Sequence, residues 1–190
     1  RQGGPSPDPP LVRAVAAELT RFVGEPLAPA LYLVATPIGN LGDITLRALA
    51  VLQRADRIYC EDTRHSRRLL ERYAIARPLG AYHEHNASAE RPRILAALAG
   101  GARVALVSDA GTPLVSDPGF KLVRAAVDAG FAVTCLPGAS AVLAGLTLSG
   151  LPCESFHFAG FLPPKEGERR RRLEALRQVP GTLVLFEAPG

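Results

Sequence analysis

The chain has 190 residues; at ~150 residues per domain that is about 1.3 domains, so the length predicts one full domain and part of a second. Hydrophobic residues make up 47% and charged residues 21%, which excludes an intrinsically disordered chain. Twenty-two basic against 18 acidic residues leave a net charge of +4, which permits an anionic partner without demanding one.

Residues 1–30 read as an N-terminal extension. The stretch RQGGPSPDPP is too rich in Pro and Gly to pack and is expected to be disordered, whereas Leu11–Val23 has the pattern of one helix ahead of Pro26 and Pro29. From LYLVAT (31–36) onward, strand and helix patterns alternate. A helix is predicted from Asp43 to about Asp56, with Asp43 as its N-cap, then a strand at RIYC (57–60) and a helix over Thr63–Tyr73. LGAY (79–82) is a short strand, Ala87–Leu98 a helix and RVALVS (103–108) a strong strand. Asp117-Pro118 has the look of an N-cap and first-turn proline of a helix that runs to Ala129. FAVTCL (131–136) is the next strand and Ser140–Leu148 the next helix.

This rhythm predicts the fold class: α/β, a mostly parallel open sheet with helices on both faces. Residues 31–153 would form that domain. After Pro152 the pattern restarts with SFHFAGF, a charged helix from Glu166 and TLVLFE, the expected beginning of a second α/β domain over 154–190. Phe131–Cys153 carries no charge over 23 residues. Pro137-Gly138 and scattered Ser and Thr nevertheless make it a strand, turn and helix rather than a membrane span. No signal peptide is apparent, and Cys60, Cys135 and Cys153 read as small core hydrophobes in a reducing compartment, so a cytoplasmic protein is expected.

In such a fold ligands sit outside the carboxyl ends of the strands, so the loops after strands carry the chemistry. TPIGNLGD (36–43) and SDAGTPLVSDPG (108–119) combine glycines with small polar groups, and the second is far longer than the ~2–6 residues that a connection needs. LPGASA (136–141) is a third loop of this kind. None of the three carries Lys or Arg, which disfavours a polyphosphate and suits an adenosine or amino-acid-like group. Neither a dinucleotide nor a P-loop signature is present. A fourth region, CEDTRHSRRLLERY (60–73) with AYHEHN (81–86), gathers Glu61, Asp62, Arg64, His83, Glu84, His85 and Asn86 behind strand ends. Arg64, Arg68 and Arg72 would form a basic stripe, as readily a solvated helix face as a binding one. His83-x-His85 lacks further ligands at metal-binding spacing, so no metal is expected.

ATPIGNLGDITLRAL, EDTRHSRRLL, HEHN, VSDAGTPLVSDPG, PGASA and FAGFLP, in this order and spacing, resemble the ribosomal RNA small subunit methyltransferase I family. That family belongs to the tetrapyrrole-methylase-like, class III S-adenosylmethionine methyltransferases. The resemblance implies S-adenosylmethionine as cofactor and a cytidine ribose 2′-hydroxyl of small-subunit (16S) rRNA, free or in the assembled small ribosomal subunit, as acceptor. It also implies a homodimer of two-domain chains, of which the second domain is incomplete here; the family's usual Pro-His-Arg is Pro189-Gly190 at the end of this sequence. By motif position the cofactor would be held by Pro37, Ile38, Gly39 and Asn40, by Asp109, Ala110, Gly111, Thr112, Pro113 and Ser116, and by Pro137, Gly138, Ala139 and Ser140. Asp62, His83 and Glu84 are the candidate general bases, Asp62 favoured, with Arg64 gripping a phosphate. Arg67, Arg68 and Arg169–Arg172 are candidate RNA contacts. Three other readings stay open: a tetrapyrrole methyltransferase of the same fold, a non-catalytic RNA- or nucleotide-binding module, and a generic flavodoxin-like binding domain.

Overall fold

The computed structural model describes residues 8–187. The expectation of disorder over 1–10 therefore falls largely outside the described residues, as does Pro189-Gly190. Helix α1 (Pro10–Gly24) starts on a proline that needs no amide partner, and its following segment is tied down where Arg54 donates to the Glu25 carbonyl. Leu19 and Leu27 pack against the core below it.

Five parallel strands follow: β1 (Ala30–Val34), β2 (Arg57–Cys60), β3 (Leu79–Ala81), β4 (Arg103–Val107) and β5 (Val133–Leu136). Their order in the sheet is β3-β2-β4-β1-β5. The central strands β1 and β4 are buried along almost their whole length because helices cover both faces. Alternate side chains sort the core into two layers. Tyr32, Val34, Ile58, Cys60, Ala105 and Val107 pack against α2 (Leu46–Arg54) and α3 (Thr63–Arg72). Leu31, Leu33, Tyr59, Val104 and Leu106 meet Ile94 and Leu98 of α4 (Ala87–Ala99) and Leu122 and Ala126 of α5 (Phe120–Asp128) on the other side.

The site is set by this arrangement. β1 and β4 are neighbours, yet β1 leads to α2 on one face and β4 to α5 on the opposite face. Their connections diverge and leave a crevice above the strand ends, the topological switch point of the sheet. In register, Val34 lies beside Val107 and Leu136, so the loops after β1, β4 and β5 leave the sheet at one level. Helix α6 (Ala141–Leu148) follows β5, capped by the Ser140 hydroxyl, which accepts from the Leu143 amide. β6 (Phe156–Phe161) and β7 (Thr182–Phe186), joined through α7 (Glu166–Leu176), form a separate two-stranded parallel sheet.

Three expectations need correction. Asp43 ends a 3-10 turn (Leu41–Asp43), and Thr45 caps α2 instead, its hydroxyl accepting from the Ala48 amide. Asp117 does not cap α5. Gly119, which the expected helix would include, has φ of 137°, a value no helical residue adopts, so α5 begins only at Phe120. Of the three cysteines only Cys60 is in the core; Cys135, on the edge strand β5, and Cys153 are exposed. Among the described residues no helix is long and apolar enough to cross a membrane.

Ile58 is fully buried between β3 and β4. Ile58→Ala is expected to destabilise the fold by about 2–5 kcal/mol, and Thr45→Ala, which removes only a cap, by about 1 kcal/mol. Chemical denaturation of the two variants checks the ranking.

Candidate active site at the strand ends

Backbone bonding makes the three loops one layer. The Thr36 amide donates to the Gly111 carbonyl at 2.9 Å and the Gly111 amide returns a bond to the Thr36 carbonyl at 3.0 Å. The buried Thr36 hydroxyl donates to the Ser108 carbonyl at 2.9 Å. The Thr112 hydroxyl donates to the Ala139 carbonyl at 3.3 Å, which joins the third loop. Glycine is required at two of these contacts. Gly111 has φ of 80°, and a Cβ on it would lie 3.3 Å from Ile38 Cγ2; a Cβ on Gly138 would lie 2.8 Å from Ala35 Cβ. Pro37 and Pro113 are buried beneath this layer, and Ile38, Gly39, Asn40 and Ala110 are exposed on it.

A hollow of about 250 Å³ opens on the α3 side. Pro37, Ile38, Gly39, Asp109 and Ala110 line it together with His65, Ser66 and Leu69 of α3. Ser66 is 6% exposed, and its hydroxyl has no hydrogen-bond partner. A second hollow of about 600 Å³ lies on the α4/α5 side, with Ser116 and Glu84 among its walls. Pro137–Ser140 line neither hollow; the Thr112–Ala139 hydrogen bond and the close approach of Gly138 to Ala35 bring them to the site. The α3 residues and Asp117 were not legible as site residues, because nothing in a helical pattern tells which face will meet a loop from a distant strand.

Asp62 is the N-cap of α3. Its carboxylate accepts from the Arg64 amide at 2.8 Å and from the Arg64 guanidinium at 2.6 Å. These bonds, the guanidinium contact first, hold its pKa down to about 2. A carboxylate so stabilised is a poor proton acceptor, which removes the ground for favouring Asp62 as the base. Arg64 itself is spent on this pair, although its side chain is 90% exposed. Asp109 accepts from the Asp62 amide at 3.0 Å and so ties the β4 loop to the start of α3. The His83 amide donates to the Asn86 side chain at 2.8 Å, which fixes the turn after β3; its Nδ1 is buried with no partner. Glu84 is exposed at the rim. Beyond these, Arg67, Arg68 and Arg72 stand exposed on α3 in no ion pair among the described residues, whereas Arg169 and Arg170 of α7 are paired with Glu187 and Glu166. Among the described residues no group of His, Cys, Asp or Glu could hold a metal ion.

Asp117 behaves in the opposite way to Asp62. Burial, reinforced by the neighbouring carboxylates of Glu61 and Asp109 and only partly offset by the Ser108 hydroxyl, raises its pKa to about 6. A raised carboxyl pKa favours the fold below pH ~4 and loses that advantage as pH rises to about 6. Asp117→Asn is therefore expected to melt higher than the parent at pH 8, with the gain shrinking as pH falls towards 4. Thermal melts across that range check the sign.

Comparison with known proteins places this geometry. The family model described as Tetrapyrrole (Corrin/Porphyrin) Methylases matches residues 30–190. The chain is 63% identical over 170 residues to a Mesorhizobium japonicum protein named Ribosomal RNA small subunit methyltransferase I, covering 90% of this chain and 58% of that one. It is 53% identical to a protein of the same name from Micromonospora olivasterospora, covering 91% and 55%. The chain thus spans little more than half the length of these relatives. A solved structure of diphthine synthase superposes with a TM-score of 0.65 at 20% identity, over 84% of this chain and 65% of that one. A uroporphyrin-III-C-methyltransferase from Thermus thermophilus superposes with a TM-score of 0.56 at 24% identity, over 76% and 71%. At these identities the two structures speak for the fold alone. With the matched family model extending from the first residue of β1 through β7, the chain belongs to the tetrapyrrole (corrin/porphyrin) methylases.

Proposed function

We propose that this chain is the catalytic part of an S-adenosylmethionine-dependent methyltransferase that modifies the ribose 2′-hydroxyl of a cytidine in small-subunit rRNA. One observation carries the reading: three loops without Lys or Arg are stitched into a single layer at the switch point, beside a helix that exposes Arg67, Arg68 and Arg72 in no ion pair among the described residues. The names of the relatives support methylation of small-subunit rRNA, and the motif resemblance adds the cytidine ribose. The reading carries with it a cytoplasmic setting and, by resemblance, a homodimer.

The residues fit the cofactor. S-adenosylmethionine supplies a methyl group on a cationic sulfonium. Asp109, on the wall of the smaller hollow, contributes a negative charge to a loop layer without Lys or Arg, the sign that suits a cation. Gly111 and Gly138 let the loops pack directly on Ile38 and Ala35, which keeps the layer that would hold the cofactor in one piece. Pro37–Asn40, Asp109–Pro113, Ser116 and Pro137–Ser140 would hold the cofactor mainly through backbone groups. Methyl transfer is an in-line displacement, so holding the acceptor oxygen in line is a large part of what the protein contributes.

The acceptor hydroxyl must lose its proton. With Asp62 committed to its cap, His83 at the β3 end is the better base, because an imidazole suits proton transfer near neutral pH. Arg67, Arg68 and Arg72 would grip the RNA backbone.

Three outcomes test the reading. Gly111→Val should weaken S-adenosylmethionine binding at least ~10-fold by calorimetry, a loss of about 1.4 kcal/mol, while the variant still folds by circular dichroism. His83→Ala should slow methylation of purified small subunits about 10²–10⁴-fold, whereas Asp62→Asn, which keeps a capping side chain, should stay within about threefold of the parent. Neutralising Arg67, Arg68 and Arg72 together should weaken RNA binding and lower the slope of log affinity against log salt by about 2–3, with cofactor affinity unchanged. Methylation of uroporphyrinogen with none of small subunits would instead select the tetrapyrrole reading.

A further inference from the structure

The larger hollow, about 600 Å³, falls within the ~300–1,000 Å³ typical of small-ligand sites, and the cofactor cradle contributes only Ser116 to it. Its composition describes an occupant. Phe120, the first residue of α5, stands at its rim 69% exposed, although nothing about helix packing asks for an aromatic ring in water there. Such a ring beside a polar hollow is a stacking platform for a flat, unpaired base. Glu61, Glu84 and Asp117 bring three carboxyls to its walls, and the Glu61 charge adds to burial in pushing the Asp117 pKa up. Three acids outnumber the two cations, Arg91 and Lys121, so a phosphate is poorly matched to these walls. The surplus is of acceptors, and the half-buried Asp117 has lost water without gaining a cationic partner. Arg91 Nε is also buried with no hydrogen-bond partner, a donor that the fold itself leaves unused.

We propose that this hollow receives one unstacked, amine-bearing nucleobase of the RNA, its ring stacked on Phe120 and its amine donating to the Glu61 and Asp117 carboxyls. The inference rests on the RNA reading above and adds where and how a base is read. An exocyclic amine brings two N–H groups to an acceptor-rich wall and leaves a ring acceptor for Arg91. Uracil brings a single N–H and turns a carbonyl towards the acids, which repel it. Recognition of splayed bases by stacking and edge hydrogen bonds is the common mode for unpaired RNA.

Cytidine and uridine titrated separately into the protein, followed by amide chemical shifts around Leu114–Lys121, test this directly. Cytidine is expected to bind at least about fivefold more tightly than uridine. Phe120→Ala should weaken cytidine about 10-fold, in line with ~1–3 kcal/mol per stacked base. Asp117→Ala should erase the preference for cytidine; it removes a charge that burial already disfavours, so it should not unfold the loop. Phe120→Leu keeps the apolar bulk without the ring and should also weaken binding. Equal affinities for the two nucleosides, no binding of cytidine at millimolar concentration, or an unaffected Phe120→Ala would overturn the proposal. Methylation of small subunits measured in parallel separates the two claims. A protein that methylates subunits but shows no nucleoside preference loses only the base pocket; one that prefers cytidine yet modifies no RNA loses the function proposed above.

Discussion

Thr36 and Gly111 exchange two backbone hydrogen bonds across the gap between the first and fourth strand-end loops, and the whole upper surface depends on that exchange. Without it, neighbouring parallel strands that send their chains to opposite faces would leave a cleft lined by unpaired peptide groups. With it, the cleft floor is a short antiparallel bridge, and the loops on either side are held at fixed height. Gly111 is needed because its φ of 80° turns the chain into the bridge while Ile38 packs closely over it. The Thr36 hydroxyl, buried and bonded to the Ser108 carbonyl, fixes the same corner from below. Positioning of this kind is the main catalytic resource that a fold can offer to an in-line transfer between two bound partners.

Charge is divided around this floor. The loops themselves carry acids and no bases, which on the reading proposed above suits a cationic methyl donor. Arg67, Arg68 and Arg72 stand just outside, exposed on α3, where the proposed function would have them draw in the RNA. Asp62 and Asp117 illustrate how environment assigns roles to identical side chains. Asp62 sits at a helix N-terminus with a guanidinium against it and is held ionised, a fastening for α3. Asp117 sits half-buried among other carboxylates and is pushed towards neutrality. The first fastens α3 to its own N-terminus; the second is left without a cationic partner.

The α/β architecture and the order of strands and helices could be read from the sequence because each buried strand is a short apolar run bounded by Gly, Pro or Asp. LYLVAT and RVALVS are the clearest cases, and both became the central strands. The site loops were legible for a related reason: SDAGTPLVSDPG is too long and too specific in composition to be a mere connection. Where reading failed, a tertiary constraint had overridden a local rule. Asp117-Pro118 is a good helix start in isolation, but the positive φ at Gly119, inside the expected helix, delays α5. Asp43 is likewise displaced as a cap by Thr45, because the 3-10 turn absorbs the intervening residues. Ser66, Leu69 and Phe120 carry no local signal at all. Their part in the site comes only from the packing of α3 and α5 beside loops distant in sequence. Asp62 was legible as important but not as a cap, since a carboxylate followed by Thr-Arg reads equally as a base or as a helix start.

The most direct test of the account is a residue-resolved titration of the protein with S-adenosylmethionine, read by backbone amide chemical shifts. If the stitched loops are the ligand-binding layer, the largest changes will fall on Ile38–Asn40, Asp109–Thr112 and Ala139–Ser140. The separate hollow beneath α1, lined by Phe22, Tyr32 and Arg54, will then stay silent. Shifts centred on that hollow, with Gly111 and its neighbours unchanged, would contradict it.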